Sequence, residues 1–265
     1  MFRAMNTAAT GMEAQQTKID VIANNLANVN TTGYKQSRAE FQDLMYQVIR
    51  PTSTSVAQGV TSPNGLQVGL GSKVVSTVKS FSMGDLKNTG DPLNMAIAGE
   101  GLFEVQVPNS NQVAYTRSGN FQLDSQGRVV TMEGYLLNPP LSVPLDAQPS
   151  SIRIAGDGTV TVAIQGQTAP LQIGQIQIAL FANYAGLEPI GQNLYRASDA
   201  AGPAVMVNPT TQNAGHIEQK FLETSNVKVV EEMVNMIASQ RAYEFNAKAI
   251  KAAEEMMQQV STLKS

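Results

Sequence analysis

The 265-residue sequence contains no cysteine and no tryptophan, and His216 is its one histidine. Without cysteine, disulfide bonds and thiolate chemistry are excluded, and a single histidine excludes a multi-histidine metal site within one chain. Aromatic residues make up 6% of the chain, which indicates a thin core. Charged residues make up 15% and the net charge is -3, so the basic surface typical of nucleic-acid-binding proteins is lacking.

Long apolar runs are lacking as well. No stretch approaches the length of a membrane span, so we expect no direct membrane insertion. Residues 1–7 carry one basic residue and no continuous apolar run behind it, so we do not expect a cleaved signal peptide. A chain of this kind that leaves the cytoplasm would do so by a route that keeps its N-terminus.

The N-terminal segment carries a seven-residue apolar period, which is typical of a helix that packs against another helix. We predict one helix from residue 1 to about residue 30, ended by Gly33 as a left-handed C-cap. Several asparagines lie near its end, and Asn25 flanks the seam, where a polar amide can fix helix register. The predicted contact residues of this segment are Met5, Met12, Ile19, Ile22, Asn24, Asn25, Leu26, Asn28 and Val29.

The C-terminal segment repeats the pattern, with apolar residues at alternating steps of four and three. We predict a long helix that begins after a cap at Ser225 or Asn226 and runs to about residue 263. Gln240 and Glu254 occupy the two seam positions that are not apolar. The predicted contact residues are Val229, Met233, Met236, Gln240, Tyr243, Ala247, Ile250 and Met257.

Between the helices the period changes to two, which is typical of β-strands. Residues 102–107 and 113–117 flank one turn, and residues 121–123 and 129–131 flank another. The sequence therefore predicts an α+β fold in which long terminal helices pair as a coiled coil around a central antiparallel β domain. We expect an inner helical domain (1–35 with 225–265), an extended connecting region (36–75 with 212–224) and an outer β domain (76–211).

The sequence contains no pattern that indicates catalysis or a cofactor. Gly69–Lys73 lacks the spacing of a phosphate-binding loop and is interpreted as a turn. The acidic pairs Glu231–Glu232 and Glu254–Glu255 are interpreted as lying on the outer side of a helix. We therefore predict no enzymatic activity, no metal and no cofactor.

A single thin seam buries little apolar surface compared with the backbone entropy lost when about 65 helical residues become ordered. The helices are therefore predicted to fold fully only in an oligomer, and repeated contacts that do not close into a ring would give a helical filament.

Five segments resemble the bacterial flagellar rod and hook axial proteins, in order and along nearly the whole chain. The N-terminal motif is Ala23–Lys35, and the C-terminal motif comprises Glu223–Val227, Glu231–Ile237 and Gln240–Glu244. The central patches are Ala96–Phe103, Tyr115–Phe121 and Leu187–Tyr195. The length and the segment from Tyr46 are most similar to the distal-rod members of the family.

This resemblance implies a structural subunit that polymerises into the distal rod, the rigid tube that transmits torque from motor to hook and encloses the export channel. It implies export through the flagellar apparatus without a cleaved signal, and a location from the periplasm to the outer membrane. The implied partners are further copies of the chain, proximal rod proteins, the hook protein, the rod cap and the periplasmic and outer-membrane ring proteins. It also implies a stretch, 46–67, that stiffens the rod, including Tyr46, Ile49, Arg50, Pro51 and Pro63.

Three alternatives stay open. One is a proximal rod or hook protein of the same family. The second is an exported adhesin with coiled-coil ends, and the third is a hydrolase in the β domain.

Overall fold

The computed structural model describes residues 2–50, 55–57, 60–61, 65–107, 112–144, 147–164 and 169–262. The chain divides into two compact units. We call the first the helical unit; it contains residues 1–27, 37–78 and 228–265. We call the second the β unit; it contains residues 28–36 and 79–227. The division into three parts predicted from the sequence stays a prediction.

Two helices form most of the helical unit, α1 (Phe2–Ala27) and α2 (Val229–Thr262), and they pack against each other. The expected terminal helices are thus present. The predicted cap of α2 is wrong, because the helix begins at Val229. The Asn226 side chain is used elsewhere, since it accepts a hydrogen bond from the Gln36 backbone N–H and donates to the Ser80 carbonyl.

Six strands between α1 and the β unit pair as nested two-stranded sheets, with β1 against β6, β2 against β5, and β3 against β4. The outward strands β1, β2 and β3 therefore pair with the returning strands β6, β5 and β4, as in one long hairpin. Their bounds are β1 Ser37–Asp43, β2 Tyr46–Arg50, β3 Ser55–Ala57, β4 Val60–Thr61, β5 Leu66–Gly69 and β6 Ser72–Lys79.

The β unit contains the remaining strands and one 3-10 turn, Tyr184–Gly186. The pairings between its named strands are antiparallel, as the alternating pattern predicts. The strands are β7 Leu86–Asn88, β8 Met95–Ala98, β9 Leu102–Gln106, β10 Val113–Thr116, β11 Phe121–Leu123, β12 Val129–Thr131, β13 Leu136–Asn138, β14 Ala147–Ile154, β15 Thr159–Ile164, β16 Leu171–Gln175, β17 Ile178–Leu180, β18 Glu188–Gly191, β19 Leu194–Arg196, β20 Val205–Val207, β21 His216–Gln219 and β22 Phe221–Glu223.

The largest sheet has nine strands and is centred on β9, which pairs with β10, β13 and β17. Strands β14, β15 and β16 form a separate sheet, and β8 and β7 pair with the late strands β21 and β22. Segments from both ends of the unit's sequence are therefore joined by these last two pairs. The predicted hairpins β9–β10 and β11–β12 are confirmed.

Two apolar clusters form the core of the β unit. In the larger, Phe103 and Phe121 meet edge to face with ring centroids 5.3 Å apart. In the smaller, Tyr115 and Phe181 meet in the same way at 4.9 Å. Such pairs add about 0.5–1.5 kcal/mol beyond the area they bury, which partly offsets the low aromatic content.

Candidate assembly interface

One face of α2 packs inside the helical unit, and its fully buried side chains are small or polar. Glu232, Ser239 and Ala253 are buried, and Asn246 occupies the remaining position of the same seven-residue row. A side chain added at Gly11 of α1 would lie 2.8 Å from Asn246 Nδ2, so the two helices approach closely there. The glycine that weakens α1 as a helix therefore makes room for this contact.

Asn25 connects three elements of the helical unit. Its Oδ1 accepts a hydrogen bond from the Ser37 backbone N–H (2.9 Å), and its Nδ2 donates to the Ser37 carbonyl (2.8 Å). The same Nδ2 lies 3.3 Å from Glu232 Oε2 in the first turn of α2. Asn25 and Glu232 are both almost fully buried. The Asn25 amide therefore joins α1, β1 and α2 at a fixed position along both helices.

Large apolar side chains of α2 lie on the other side of the helix, exposed to solvent. Val229, Met233 and Ile237 are spaced four residues apart, and Val230 and Val234 extend the same stripe. Val230 is 76% exposed and Val234 is 60% exposed. We call these five residues the exposed stripe. A contiguous apolar surface of this kind marks an interaction site in soluble proteins.

The residues predicted to form the interface are distributed between these surfaces. Ile22 and Asn25 are buried; half-buried positions are Met5, Met12, Ile19, Leu26, Asn28, Val29, Met236, Ala247, Ile250 and Met257. Exposed positions are Asn24, Val229, Met233, Gln240 and Tyr243. The helices bring these residues into the helical unit, except Asn28 and Val29, which belong to the β unit.

Several residues of these surfaces were not among the predicted contacts. Sequence inspection did not identify Ala14 and Ser239 as buried, and it placed Glu232 on the outer side of α2, which is wrong. It also omitted Val230, Val234 and Ile237. The seven-residue row 232, 239, 246 and 253 is regular, but its small and polar members give no apolar signal.

Strands β2 and β5 form a two-stranded hairpin that exposes apolar side chains. Tyr46, Val48, Ile49 and Leu66 are each about half exposed. Arg50 is also exposed, whereas Pro51 and Pro63 lie outside the described residues. An isolated two-stranded hairpin is marginally stable in water, so this one would gain stability from a further packing partner.

The β unit contains a buried ionic cluster that sequence inspection did not predict. The carboxylate of Glu223 in β22 accepts from Lys35 Nζ at 2.6 Å and from the Arg117 guanidinium. It also accepts from the Gly84 backbone N–H at 2.8 Å. Lys35 and Glu223 are each 1% exposed and Arg117 is 4% exposed. We call Lys35, Arg117 and Glu223 the ionic cluster.

The cations of the ionic cluster have further acceptors. Arg117 donates to the carbonyls of Ile97 and Gly99 at 2.7 and 2.6 Å and also to that of Gly101. Lys35 Nζ donates to the Ser82 carbonyl at 2.7 Å. Two cations therefore share one carboxylate, and backbone carbonyls accept further hydrogen bonds from both.

Burial and charge act in opposite directions within the ionic cluster. Burial alone would raise the pKa of Glu223, but Arg117 and Lys35 offset this effect, so the pKa lies below its ordinary value. Burial lowers the pKa of Lys35, and the attraction of Glu223 opposes the shift only in part. Sequence inspection placed Lys35, Arg117 and Glu223 in three of the family-like motifs. It gave no sign that they meet, because they are far apart in the chain.

The described residues contain no group of three or more metal-ligating side chains. His216 belongs to strand β21, and its Nε2 lies 3.0 Å from Glu218 Oε1 at the surface. Over the same part of the chain, neither helix is long and apolar enough to cross a membrane.

Three family models match the chain in order. The model for flagella basal body rod proteins matches residues 5–35, which include α1 and Lys35. The model for the D1 domain of the flagellar hook protein FlgE/F/G matches residues 96–162 in the β unit. The model for the C-terminal part of flagellar basal body rod FlgEFG proteins matches residues 218–263, which include β22 and α2.

Full-length relatives agree with the models. The flagellar basal-body rod protein FlgG of Buchnera aphidicola (subspecies Schizaphis graminum) is 46% identical over 265 residues, covering 99% of this chain and all of the relative. FlgG of Caulobacter vibrioides is 44% identical over 264 residues, covering 99% and 100%. FlgG of Bacillus subtilis is 40% identical over 272 residues, and both chains are covered completely.

The paired terminal helices, the β unit and these matches together define a structural axial protein of the bacterial flagellum, not an enzyme. The chain belongs to the flagellar basal-body rod protein family. Within that family, the relatives similar to it along its full length include FlgG rod proteins at 40–46% identity. The expected function, a structural subunit of the flagellar rod, is confirmed.

Proposed function

We propose that the chain builds the distal part of the rod as a helical homopolymer, and that the exposed stripe of α2 is a main contact between copies. The single observation that carries this proposal is that the two sides of α2 bear different kinds of side chain. The fully buried side chains of α2 are small or polar, whereas the five large apolar side chains of the exposed stripe are open to solvent. The occupant of the stripe is a second copy of this chain.

The exposed stripe supports assembly on energetic grounds. Full burial of a valine, isoleucine or methionine side chain contributes about 1.5–3 kcal/mol. Val230, Val234 and Ile237 are all more than half exposed, so most of this contribution is absent in the isolated chain. A neighbouring copy that covers the stripe would recover it at every repeat of the polymer.

Coiled-coil pairing of α1 and α2 is part of the same proposal. The buried row of α2 repeats every seven residues, and Ala8 and Ile22 of α1 are fourteen residues apart. Seven-residue spacing on both helices is typical of supercoiled pairing. Asn25 would fix the register of the pair through Ser37 and Glu232.

The β2–β5 hairpin is proposed to stiffen the rod by packing on neighbouring copies. Its apolar side chains Tyr46, Ile49 and Leu66 are about half exposed within the chain. Contacts made through a rigid hairpin would restrict the bending of one copy against the next. The proposal includes the stretch 46–67, of which parts lie outside the described residues.

The family places the protein in the flagellar basal body. We further propose the distal rod, from the periplasm to the outer membrane, reached through the flagellar export apparatus without a cleaved signal. The proposed partners are proximal rod proteins, the hook protein, the rod cap and the surrounding ring proteins. A proximal rod or hook role is the nearest alternative, and single chains displayed on the cell surface would instead indicate an adhesin.

The assembly proposal is tested by Val234→Asp in cells that lack the native copy. Val234 is 60% exposed, so the isolated chain should tolerate the charge, whereas a neighbouring copy would bury it without a partner. We expect loss of swimming and of rods in electron micrographs. The matched control is Val234→Thr, which keeps the branched shape without charge and should assemble. Normal rods with Val234→Asp would contradict the proposal.

The stiffening role is tested by replacing Tyr46 and Ile49 together with serine. We expect rods to form but to bend more in electron micrographs, because the hairpin loses the apolar surface that neighbours would contact. The control is Gln47→Ser on the same strand, which should leave the curvature unchanged. Equal curvature in all three rods would argue against the role.

A further inference from the structure

The carboxylate of the ionic cluster is contributed by the last strand of the β unit. The buried members of both apolar clusters precede Glu223 in the chain, and the last of them is Ile217. Both apolar clusters are therefore fully encoded before residue 218, whereas the counter-charge for Lys35 and Arg117 is encoded after it.

Glu223 is the one carboxylate in the described structure that contacts either cation. Without it, Lys35 and Arg117 would keep only backbone carbonyls as acceptors, at Ser82 for lysine and at Ile97 and Gly99 for part of arginine. Two like charges would then be buried together with no compensating charge. Removing one partner of a buried ion pair is strongly destabilising for this reason.

The segment that carries Glu223 lies at the end of the β unit's sequence, and it also forms hydrogen bonds with residues near the beginning of that sequence. The Gly33 backbone N–H donates to the Glu223 carbonyl at 2.8 Å, and the Thr224 backbone N–H donates to the Asp85 carbonyl at 2.9 Å. Asn226 accepts from the Gln36 backbone N–H at 2.7 Å. Docking of residues 223–226 therefore joins 33–36 and 82–85 in the same step that brings the Glu223 carboxylate to Lys35 and Arg117.

We propose that Glu223 is an electrostatic closing residue of the β unit. The sheets reach their native state only together with the docking of segment 223–226, because only that segment supplies the charge that Lys35 and Arg117 require. A chain that has been synthesised to about residue 220 therefore contains both apolar clusters without a native β unit. This inference concerns folding of one chain and does not depend on assembly into a rod.

The first test compares variants of the full chain by hydrogen exchange. Glu223→Gln keeps the shape and leaves both cations uncompensated, so exchange protection in β9 and β10 should fall by at least about 100-fold. Lys35→Met leaves the Arg117–Glu223 pair balanced, so protection should change by less than about tenfold. Combining both changes should recover part of the loss. Equal losses for the two single variants would overturn the proposal.

The second test needs no variant. The unmodified full chain is refolded from denaturant and pulse-labelled, and the amides of β9 and β10 are compared with those of Gly84 and Thr224. We expect all of these amides to become protected at one rate, because the core becomes native only when segment 223–226 docks. Protection of β9 and β10 well before Gly84 and Thr224 would overturn the proposal, since the core would then be native with the cations unpaired.

Discussion

Replacing Asn25 with aspartate keeps the shape of the side chain and removes both donor hydrogens of its amide. In the native chain, Nδ2 donates to the Ser37 carbonyl at 2.8 Å and lies 3.3 Å from Glu232 Oε2. In Asn25→Asp, an oxygen would occupy that position. A second carboxylate would then face both the Ser37 carbonyl and the buried Glu232.

The size of the effect follows from these distances. Two unit charges about 3.3 Å apart repel by about 5 kcal/mol at an effective dielectric constant of about 20. The hydrogen bond to the Ser37 carbonyl adds about 1 kcal/mol to the loss. Proton uptake by either carboxyl limits the total, so we expect about 3–5 kcal/mol of destabilisation near neutral pH. That is a large part of the 5–15 kcal/mol typical of a domain.

Thermal unfolding followed by circular dichroism at 222 nm measures this loss, because α1 and α2 supply nearly all of the helix in the described chain. The matched control is Asn24→Asp, which adds the same charge at the exposed neighbouring position and should change stability by less than about 1 kcal/mol. Acidification toward about pH 4 should reduce the difference in melting temperature between the two variants, since carboxyls take up protons there. Equal melting of both variants at neutral pH would refute the role assigned to Asn25.

Three further predictions concern individual sites. Gly71→Val should destabilise the helical unit by at least about 2 kcal/mol, because Gly71 has φ +115 and an added Cβ would lie 2.1 Å from Thr10 Oγ1. The control in a melting experiment is Gly90→Val, which shares the positive-φ strain (φ +77) but has no atom within 4 Å of the added Cβ. Phe103→Ala should cost the β unit about 3–5 kcal/mol in chemical unfolding, because the fully buried ring packs on Phe121. Arg117 and Lys35 hold the pKa of Glu223 below its ordinary value, so its ionisation stabilises the fold above that value, and this contribution is lost as the pH falls through the lower folded pKa. Acid unfolding monitored by tyrosine fluorescence should therefore begin below about pH 4.5 and lose most of this dependence in Glu223→Gln.

The β-hairpins could be predicted from the sequence because their signals are local. Strands β9 and β10 alternate in hydrophobicity, and a turn signal separates them. Residues 171–181 contain two strands, β16 and β17, which belong to different sheets. This division depends on which strands each half pairs with in the folded chain, and a local sequence pattern does not specify those partners.

The helices were predicted from their period, but the period does not separate the buried face of α2 from the exposed one. It selects Met236, Ile250 and Met257, which are half-buried. It also selects Val229, Met233 and Tyr243, which the structure exposes. The face that packs in the chain contains Glu232 and Ser239. A sequence pattern reports where large apolar residues lie, and it does not distinguish a contact within one chain from a contact between copies.

The ionic cluster and the α2 cap could not be predicted for a related reason. Lys35 and Glu223 are separated by 188 residues, and no spacing rule connects them. Asn226 has the chemistry of a helix cap, but its amide instead binds Gln36 and Ser80. Where a side chain could make several good hydrogen bonds, the tertiary structure decides which of them it makes.

The two-sided use of α2 has a consequence for how freely its sequence can vary. An ordinary surface helix keeps a solvent-facing side on which most substitutions are neutral. If the exposed stripe is covered by a neighbouring copy, the first three turns of α2 face protein on both sides, from Glu232 inward and from Val230 outward. A saturation library over residues 229–239 should then show few tolerated changes, and the narrowest tolerance should alternate between the two faces along the helix.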